Sequence, residues 1–188
     1  MPLVPFASTE RSPLRWLRTA ESPAEYTLLA GDAPVAVLAW EHHGGSRAIA
    51  RTSEGDWTLK RNGYLFPYLT VRPAGRDLPV ARLSLRFGHH EIEVGGGSSY
   101  RLRRASLLVP AWKITGAGGR EYVHVEPVPE GRHLAGGAVL TAGDAGAREL
   151  LLLVVLSWYL IVLSWFEDET VETLAPFEGP DAPMRSGR

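Results

Sequence analysis

The sequence RELLLLVVLSWYLIVLSWFEDE, residues 148–169, contains the segment that decides the fold of this chain. Residues 150–166 carry no charge, and Ser157 and Ser164 are the only serines among them. As an α-helix this segment would rise about 26 Å, whereas a bilayer core is about 30 Å thick. No basic cluster flanks it to set a membrane orientation. We therefore predict a helix over 147–166 that is buried on all sides, by lipid or by protein.

The region before this helix has the pattern of β-strands. Segments alternate apolar and polar side chains with a period of two, as strands do when one face is buried and the other is wet. Clusters of Gly, Pro, Asn and Asp separate them and indicate turns. Between residues 26 and 141 the sequence predicts about 11 strands. The six clearest segments are 57–60, 81–87, 91–94, 100–104, 112–115 and 122–126.

The strands and the helix complement each other. An eight-stranded barrel is filled by its own side chains, whereas 11 or 12 strands enclose enough width for a helix about 10–12 Å across. We therefore predict a mainly β fold, a closed antiparallel barrel of about 12 strands enclosing one hydrophobic α-helix. Ser157 and Ser164 can donate their hydroxyl protons to preceding carbonyl groups of the same helix.

The chain divides into three parts. Residues 1–24 are predicted to be an N-terminal extension, in which Ser12 and Pro13 favour a short helix over 13–20. Residues 25–169 are the barrel with its central helix at 147–166, and residues 170–188 are a Pro- and Gly-rich tail that we expect to be disordered. The apolar start is interrupted by Pro2 and Pro5, unlike a secretory signal, so we expect a cytoplasmic protein, peripheral at the membrane if it binds lipid.

The chain resembles the superfamily of tubby-like proteins, plant LURP-one-related proteins and phospholipid scramblases. The resemblance rests on strand order, on RTSEGDWTLKR and YRLRRAS, and above all on ELLLLVVLSWYLIVLSWF near the C-terminal end. It implies a twelve-stranded barrel around a hydrophobic helix, and from tubby it implies phosphoinositide binding through basic residues on strands. The chain departs from eukaryotic scramblases because it has no cysteine cluster and no evident calcium loop. These departures weaken the expectation of lipid scrambling.

Arginines on two strands are the best candidate binding site. If Leu83, Leu85, Phe87 and Leu102 point inward, the arginines between them point outward, and adjacent strands would bring these cations together. Guanidinium groups bind phosphate as two-pronged donors, so such a cluster would bind an anion or a lipid headgroup. The alternative is a solvated outer face that keeps the barrel soluble. The candidate residues are Arg82, Arg86, Arg101, Arg103 and Arg104.

The sequence contains no convincing metal site or catalytic group. There are no cysteines, and on a strand His89, Glu91 and Glu93 share one face while His90 lies on the other. One histidine and two carboxylates are a weak set of ligands for a zinc ion. His124 and Glu126 lie together on another wet face. We therefore predict no metal, no cofactor and no catalytic residues.

These observations favour a non-catalytic barrel that binds a phospholipid headgroup or a protein partner through its outer face. The formal net charge of −1 provides no overall field for nucleic acid, so we expect none to bind. The alternative is a membrane-anchored, scramblase-like β-domain, in which residues 150–166 are a single C-terminal transmembrane helix. No pattern in the sequence indicates an oligomeric state.

Overall fold

The computed structural model of this chain is a closed barrel of antiparallel strands around one helix, which confirms the predicted fold class. It describes residues 2–9, 12–63, 66–86, 89–105, 111–130, 133–140 and 145–174. The strands are β1 (Leu14–Ala20), β2 (Glu25–Ala30), β3 (Ala33–Trp40), β4 (Arg47–Thr52), β5 (Trp57–Asn62), β6 (Tyr68–Pro73), β7 (Ala81–Arg86), β8 (His89–Val94), β9 (Ser98–Arg104), β10 (Trp112–Thr115), β11 (Glu121–Glu130) and β12 (His133–Leu140). All six of the clearest strand predictions are confirmed, one of them with both ends correct (112–115) and the others to within four residues at either end.

Strand β1 corrects the prediction for the N-terminal region. Residues 14–20 form a strand of the barrel and not a helix, and the barrel therefore begins before residue 25. Leu14 and Trp16 face the core, whereas Arg15 is exposed. β1 pairs with β2 on one side and with β12 on the other, so it closes the barrel. The N-cap signal of Ser12 and Pro13 is local and weak. The pairing of β1 with β2 on one edge and with β12 on the other outweighs this helix signal.

The helix α1 (Ala147–Leu174) runs through the barrel. Its 28 residues rise about 42 Å. All residues from 150 to 163 are buried, which requires protein on every side of the helix. By length and composition the part Ala147–Phe166 is apolar enough to cross a membrane, and 83 % of its most apolar 18 residues are buried inside the barrel. The helix begins where we predicted and ends later, so residues 170–174 are helical, and 175–188 lie outside the described residues.

Aromatic side chains dock one side of the helix against β1, β2 and β3. The indole of Trp158 stacks on Trp16 with ring centroids 5.6 Å apart, and Tyr26 meets its edge at 5.7 Å. Tyr159 stacks on Trp40, also at 5.6 Å. Such ring pairs stabilise a structure by about 0.5–1.5 kcal/mol each beyond their buried area. They therefore fix the rotation of α1 within the barrel.

The two serines of the buried helix are satisfied locally, as the sequence predicted. Ser157 Oγ donates to the carbonyl oxygen of Val154 at 2.8 Å, and Ser164 Oγ donates to that of Leu160 at 3.0 Å. The hydroxyl of Tyr159 reaches the wall and donates to the carbonyl oxygen of Ser46. These serines therefore do not face a lumen.

The two ends of the barrel differ. At the upper end α1 begins, beside the turns 53–56, 74–80 and 95–97. A short 3-10 helix, Phe6–Ser8, also contacts α1, and its Phe6 is fully buried. At the lower end Phe166 packs on Trp40 beside the loop 41–46, and the loop 63–67 connects β5 to β6.

Candidate functional site

The predicted arginines lie on the outer face of the barrel. Arg82 on β7 and Arg101 and Arg103 on β9 are exposed, while Leu83 and Leu102 are fully buried. Arg104 is also exposed, and its guanidinium lies 5.6 Å from the ring centroid of Trp112. Arg86 ends β7, but its side chain lies outside the described part of the structure, as does Phe87. Leu85, predicted to face inward, packs partly buried against the core.

The predicted cluster of these arginines is wrong in one respect, because β7 and β9 are not neighbours. β8 lies between them and carries Glu91 and Glu93 on the same outer face. Glu93 is directly opposite Arg82, and Glu91 is directly opposite Arg101. Opposed side chains on paired strands are about 4.5–5.5 Å apart at Cβ, so carboxylates separate the cations of β7 from those of β9.

Charges of both signs also alternate around β10 and β11. Lys113 is opposite Arg103, and its Nζ lies 3.8 Å from Glu121 Oε2. His124 lies between two carboxylates, with Nδ1 3.3 Å from Glu121 Oε1 and Nε2 3.3 Å from Glu126 Oε1. The predicted proximity of His124 and Glu126 is therefore confirmed. This flank, which carries three of the five predicted arginines, is electrostatically mixed.

A stronger basic surface lies on the neighbouring strands. One row of outward side chains crosses four strands in the order Arg47, Lys60, Thr70, Arg82. In the next row Thr58 on β5 is opposite Arg72 on β6. A depression with a volume of about 470 Å³ lies over these two rows. It is lined by Arg47, Thr58, Lys60, Thr70 and Arg72, and also by Arg76 from the β6–β7 turn. We call this surface the β4–β7 face and define it by Arg47, Lys60, Arg72, Arg76 and Arg82.

Most of these cations have no anionic partner in the part of the chain that the structure describes. Arg47 Nε lies 3.1 Å from Glu41 Oε1. Lys60, Arg72 and Arg76 have no carboxylate oxygen of a described residue within 4.0 Å. Among the described residues that line the depression, Asp77 is the one carboxylate. The face therefore keeps a local excess of positive charge on a protein whose net charge is −1.

Neutral hydrogen-bonding groups lie among the cations. Thr58 and Thr70 line the depression, and Asn62 Nδ2 donates to Thr70 Oγ1 at 3.2 Å and to the carbonyl oxygen of Lys60 at 3.0 Å. At the edge, the guanidinium of Arg82 lies 4.4 Å from the ring centroid of Tyr68. Cations with hydroxyl donors are a suitable lining for phosphate oxygens.

Two apolar side chains project beside the β4–β7 face. Phe66 is 87 % exposed in the loop before β6, and Leu78 is 81 % exposed in the turn after it. β6 has six residues and is therefore about 20 Å long, so these side chains lie at opposite ends of the barrel. Exposed large apolar residues next to a basic surface are typical of proteins that contact a membrane interface.

The sequence contains little that would have revealed this face. Arg47, Lys60 and Arg72 lie on three different strands and are more than ten residues apart in the sequence. Only the strand register brings them into two neighbouring rows. The usable signal was the alternation itself, since each cation occupies an outward position next to a fully buried apolar residue: Arg47 precedes Ala48, Lys60 follows Leu59 and Arg72 follows Val71.

Histidines at the β8 turn do not assemble a metal site. His89 Nε2 lies 3.7 Å from Glu91 Oε1 on the outer face, whereas His90 turns inward and stacks on Trp112 with centroids 6.1 Å apart. Burial lowers the pKa of His90 below 6.5, and the neighbouring charge of His89 lowers it further. Within the described ranges no three His, Asp or Glu side chains are placed to hold a metal ion.

Comparison with known proteins provides no homologue from which roles could be transferred. No protein-family model, curated protein or solved structure matches this chain.

Proposed function

We propose that this protein is a non-catalytic barrel that binds anionic phospholipid headgroups through the β4–β7 face. The observation that carries the proposal is the cluster of Lys60, Arg72 and Arg76 around hydroxyl groups, without carboxylate partners in the described residues. A basic surface near an anionic leaflet gains about 1 kcal/mol per Lys or Arg. Of the arginines predicted from sequence, the proposal retains Arg82 and assigns Arg101, Arg103 and Arg104 to the mixed flank.

The apolar side chains at the two barrel ends favour a membrane over a soluble anion. With the β4–β7 face on the headgroups, Phe66 and Leu78 would both reach the interface, and the barrel would lie on its side. Interfacial binding of this kind adds buried apolar area to electrostatic attraction. The protein would be peripheral at a cytoplasmic membrane surface. The resemblance to tubby-like and LURP-one-related barrels supports the same ligand class.

The second candidate is a membrane-anchored domain in which α1 is the span. It rests on the length and composition of Ala147–Phe166. In that arrangement the helix would leave the barrel and expose inner residues such as Leu59 and Val125, which are fully buried around it. At roughly 1.5–3 kcal/mol for each exposed side chain, this rearrangement is costly. We therefore favour the peripheral barrel.

Vesicle flotation tests the proposal. We expect the protein to float with phosphatidylcholine vesicles that contain phosphatidylserine, to stay behind with phosphatidylcholine alone, and to dissociate as salt is raised. The triple substitution Lys60→Ala, Arg72→Ala, Arg76→Ala should weaken binding about 100-fold, because three cations are lost.

The matched control removes three cations from the mixed flank, Arg101→Ala, Arg103→Ala and Lys113→Ala, and should weaken binding far less. Equal losses for both triple variants would assign the interaction to net charge alone. Equal flotation with both kinds of vesicle would refute headgroup binding.

A further inference from the structure

The upper end of the barrel contains a cavity that the β4–β7 face does not explain. Its volume is about 870 Å³, and it opens where α1 enters between the turns of the sheet. Trp57, Val80, Val94 and Leu152 form its apolar lining. Trp57 and Leu152 belong to the core and are only 2 % and 4 % exposed, so the cavity reaches the interior of the barrel. A cavity of this size with an apolar wall is typical of small-molecule sites.

A carboxylate in this cavity has an unsatisfied oxygen. Glu149 lies in the first turn of α1 and lines the cavity. Its Oε1 is buried and has no hydrogen-bond partner among the described residues. A buried charged acceptor without a partner is costly, and buried polar groups in folded proteins are nearly always paired. Glu149 Oε1 therefore has room for a donor that the described chain does not supply.

The neighbouring tyrosine is influenced by the same carboxylate. Burial raises the pKa of Tyr100 to about 12, and hydrogen bonding to Glu149 and the negative charge of Glu149 contribute to the rise. Tyr100 and Glu149 are therefore close enough to hydrogen-bond at this end of the barrel. A cation bound there would be held by the charge that Tyr100 already experiences.

The other charged residues on the rim do not neutralise Glu149. Arg76 and Arg148 are exposed, and neither forms an ion pair with Glu149 within 4.0 Å. Glu54 and Asp56 are exposed on the same rim and add negative charge. Exposed charges are screened by water, whereas a charge at a buried atom acts in a lower dielectric. The buried oxygen would therefore act more strongly than the exposed rim charges on a ligand inside the cavity.

We infer that the cavity binds an organic ammonium ion with an apolar body. The ammonium group donates to Glu149 Oε1, and the apolar body packs on Trp57, Val80, Val94 and Leu152. The inference is independent of headgroup binding, because the groups that carry it lie at the barrel end and not on the β4–β7 face. The carboxylate and the apolar wall together define the ligand as a chemical class, amines with an apolar body.

Titration calorimetry with three probes of matched shape tests this inference. The probes are 2-phenylethylamine, 2-phenylethanol and 3-phenylpropionate, which differ in charge. We expect the amine to bind at least tenfold more tightly than the alcohol, and the acid to bind most weakly. Glu149→Gln keeps the shape of the side chain and should abolish the preference for the amine.

Two further variants keep the result interpretable. Glu54→Gln removes a rim carboxylate and should change the preference less than twofold, while Val94→Trp should fill the cavity and abolish binding of the amine. Circular dichroism establishes that each variant is folded. Equal binding of amine and alcohol, tighter binding of the acid, an unchanged preference in Glu149→Gln, or no binding of any probe would each overturn the inference.

Discussion

Gly136 lies where β12 passes over the indole of Trp158. A Cβ at this position would lie 2.6 Å from the carbonyl oxygen of Glu126 and 2.8 Å from the Trp158 ring. Both are closer than real contacts allow, and the indole is held by its stack on Trp16. The absence of a side chain at Gly136 is therefore a condition for helix docking.

We expect Gly136→Ala to lower the free energy of unfolding by about 1–3 kcal/mol, as overpacking does in tight cores. Chemical denaturation measures the change. Gly137→Ala is the matched control, because its added Cβ would meet only the carbonyl oxygen of Leu14 at 3.7 Å. The control should change stability by less than about 0.5 kcal/mol. Equal losses at both positions would contradict the close packing of Trp158.

His90 makes stability depend on pH. Its pKa is lowered in the folded protein, and its Nδ1 is buried without a hydrogen-bond partner in the described structure. Below 6.5 the unfolded chain therefore binds a proton that the folded protein resists. Stability should fall as the pH drops through 6.5 toward the lower folded pKa, and then level off.

Replacing His90 by Gln should flatten the pH dependence between about pH 7 and pH 5, which thermal melts across this range measure. His124→Gln is a useful comparison, because His124 lies between Glu121 and Glu126 on the outer face. The His124→Gln variant should still lose stability at acid pH. A wild-type melting temperature that rises on acidification would contradict the assignment to His90.

The direction of individual side chains was predictable from the sequence, whereas their neighbours were not. Leu83 and Arg82 differ by one position, and alternation alone placed one inside and the other outside. Alternation is a property of one strand. The positions of Glu93 beside Arg82, of Glu91 beside Arg101 and of Lys60 beside Arg47 depend on the pairing of strands, and a single-strand pattern contains no information about them.

Among the segments, α1 was the easiest to predict and β1 the hardest. A run of apolar residues without charge identifies a buried helix from composition alone, and its start at Ala147 was correct. β1 has only two fully inward apolar residues, Leu14 and Trp16, and its preceding Ser-Pro imitates a helix start. Its strand conformation results from the two partners, β2 and β12, that it joins.

The helix is the core, so a charge within it should prevent folding. Leu156 is fully buried, and Leu156→Asp places an unpaired carboxylate there at a cost of several kcal/mol. We expect this variant to be absent from the soluble fraction. Leu156→Met has nearly the same volume and should fold with a loss below about 1.5 kcal/mol. Normal soluble yield of Leu156→Asp would show that the segment is not internal.

For the protein as a unit, the closed barrel predicts its behaviour at membranes. Because the strands cover α1, we expect membrane-bound protein to be released by high salt or alkaline carbonate, as peripheral proteins are. The released protein should then run as a compact species on a sizing column without detergent. The β4–β7 triple variant, applied to the same membranes, should be lost from the pellet even at low salt. Retention in the pellet after carbonate treatment would favour the transmembrane alternative.

The order of the elements along the chain has a consequence for biosynthesis. All twelve described strands precede α1, and β12, which completes the wall, pairs with β1 near the other end of the sequence. The ribosome therefore synthesises the strands, with their apolar inner face, before it synthesises α1, the helix that covers this face. A nascent chain in this state has the exposed apolar surface and open strand edges that chaperones bind and that promote aggregation. Productive folding must wait until translation has passed the last strand by the length of a helix.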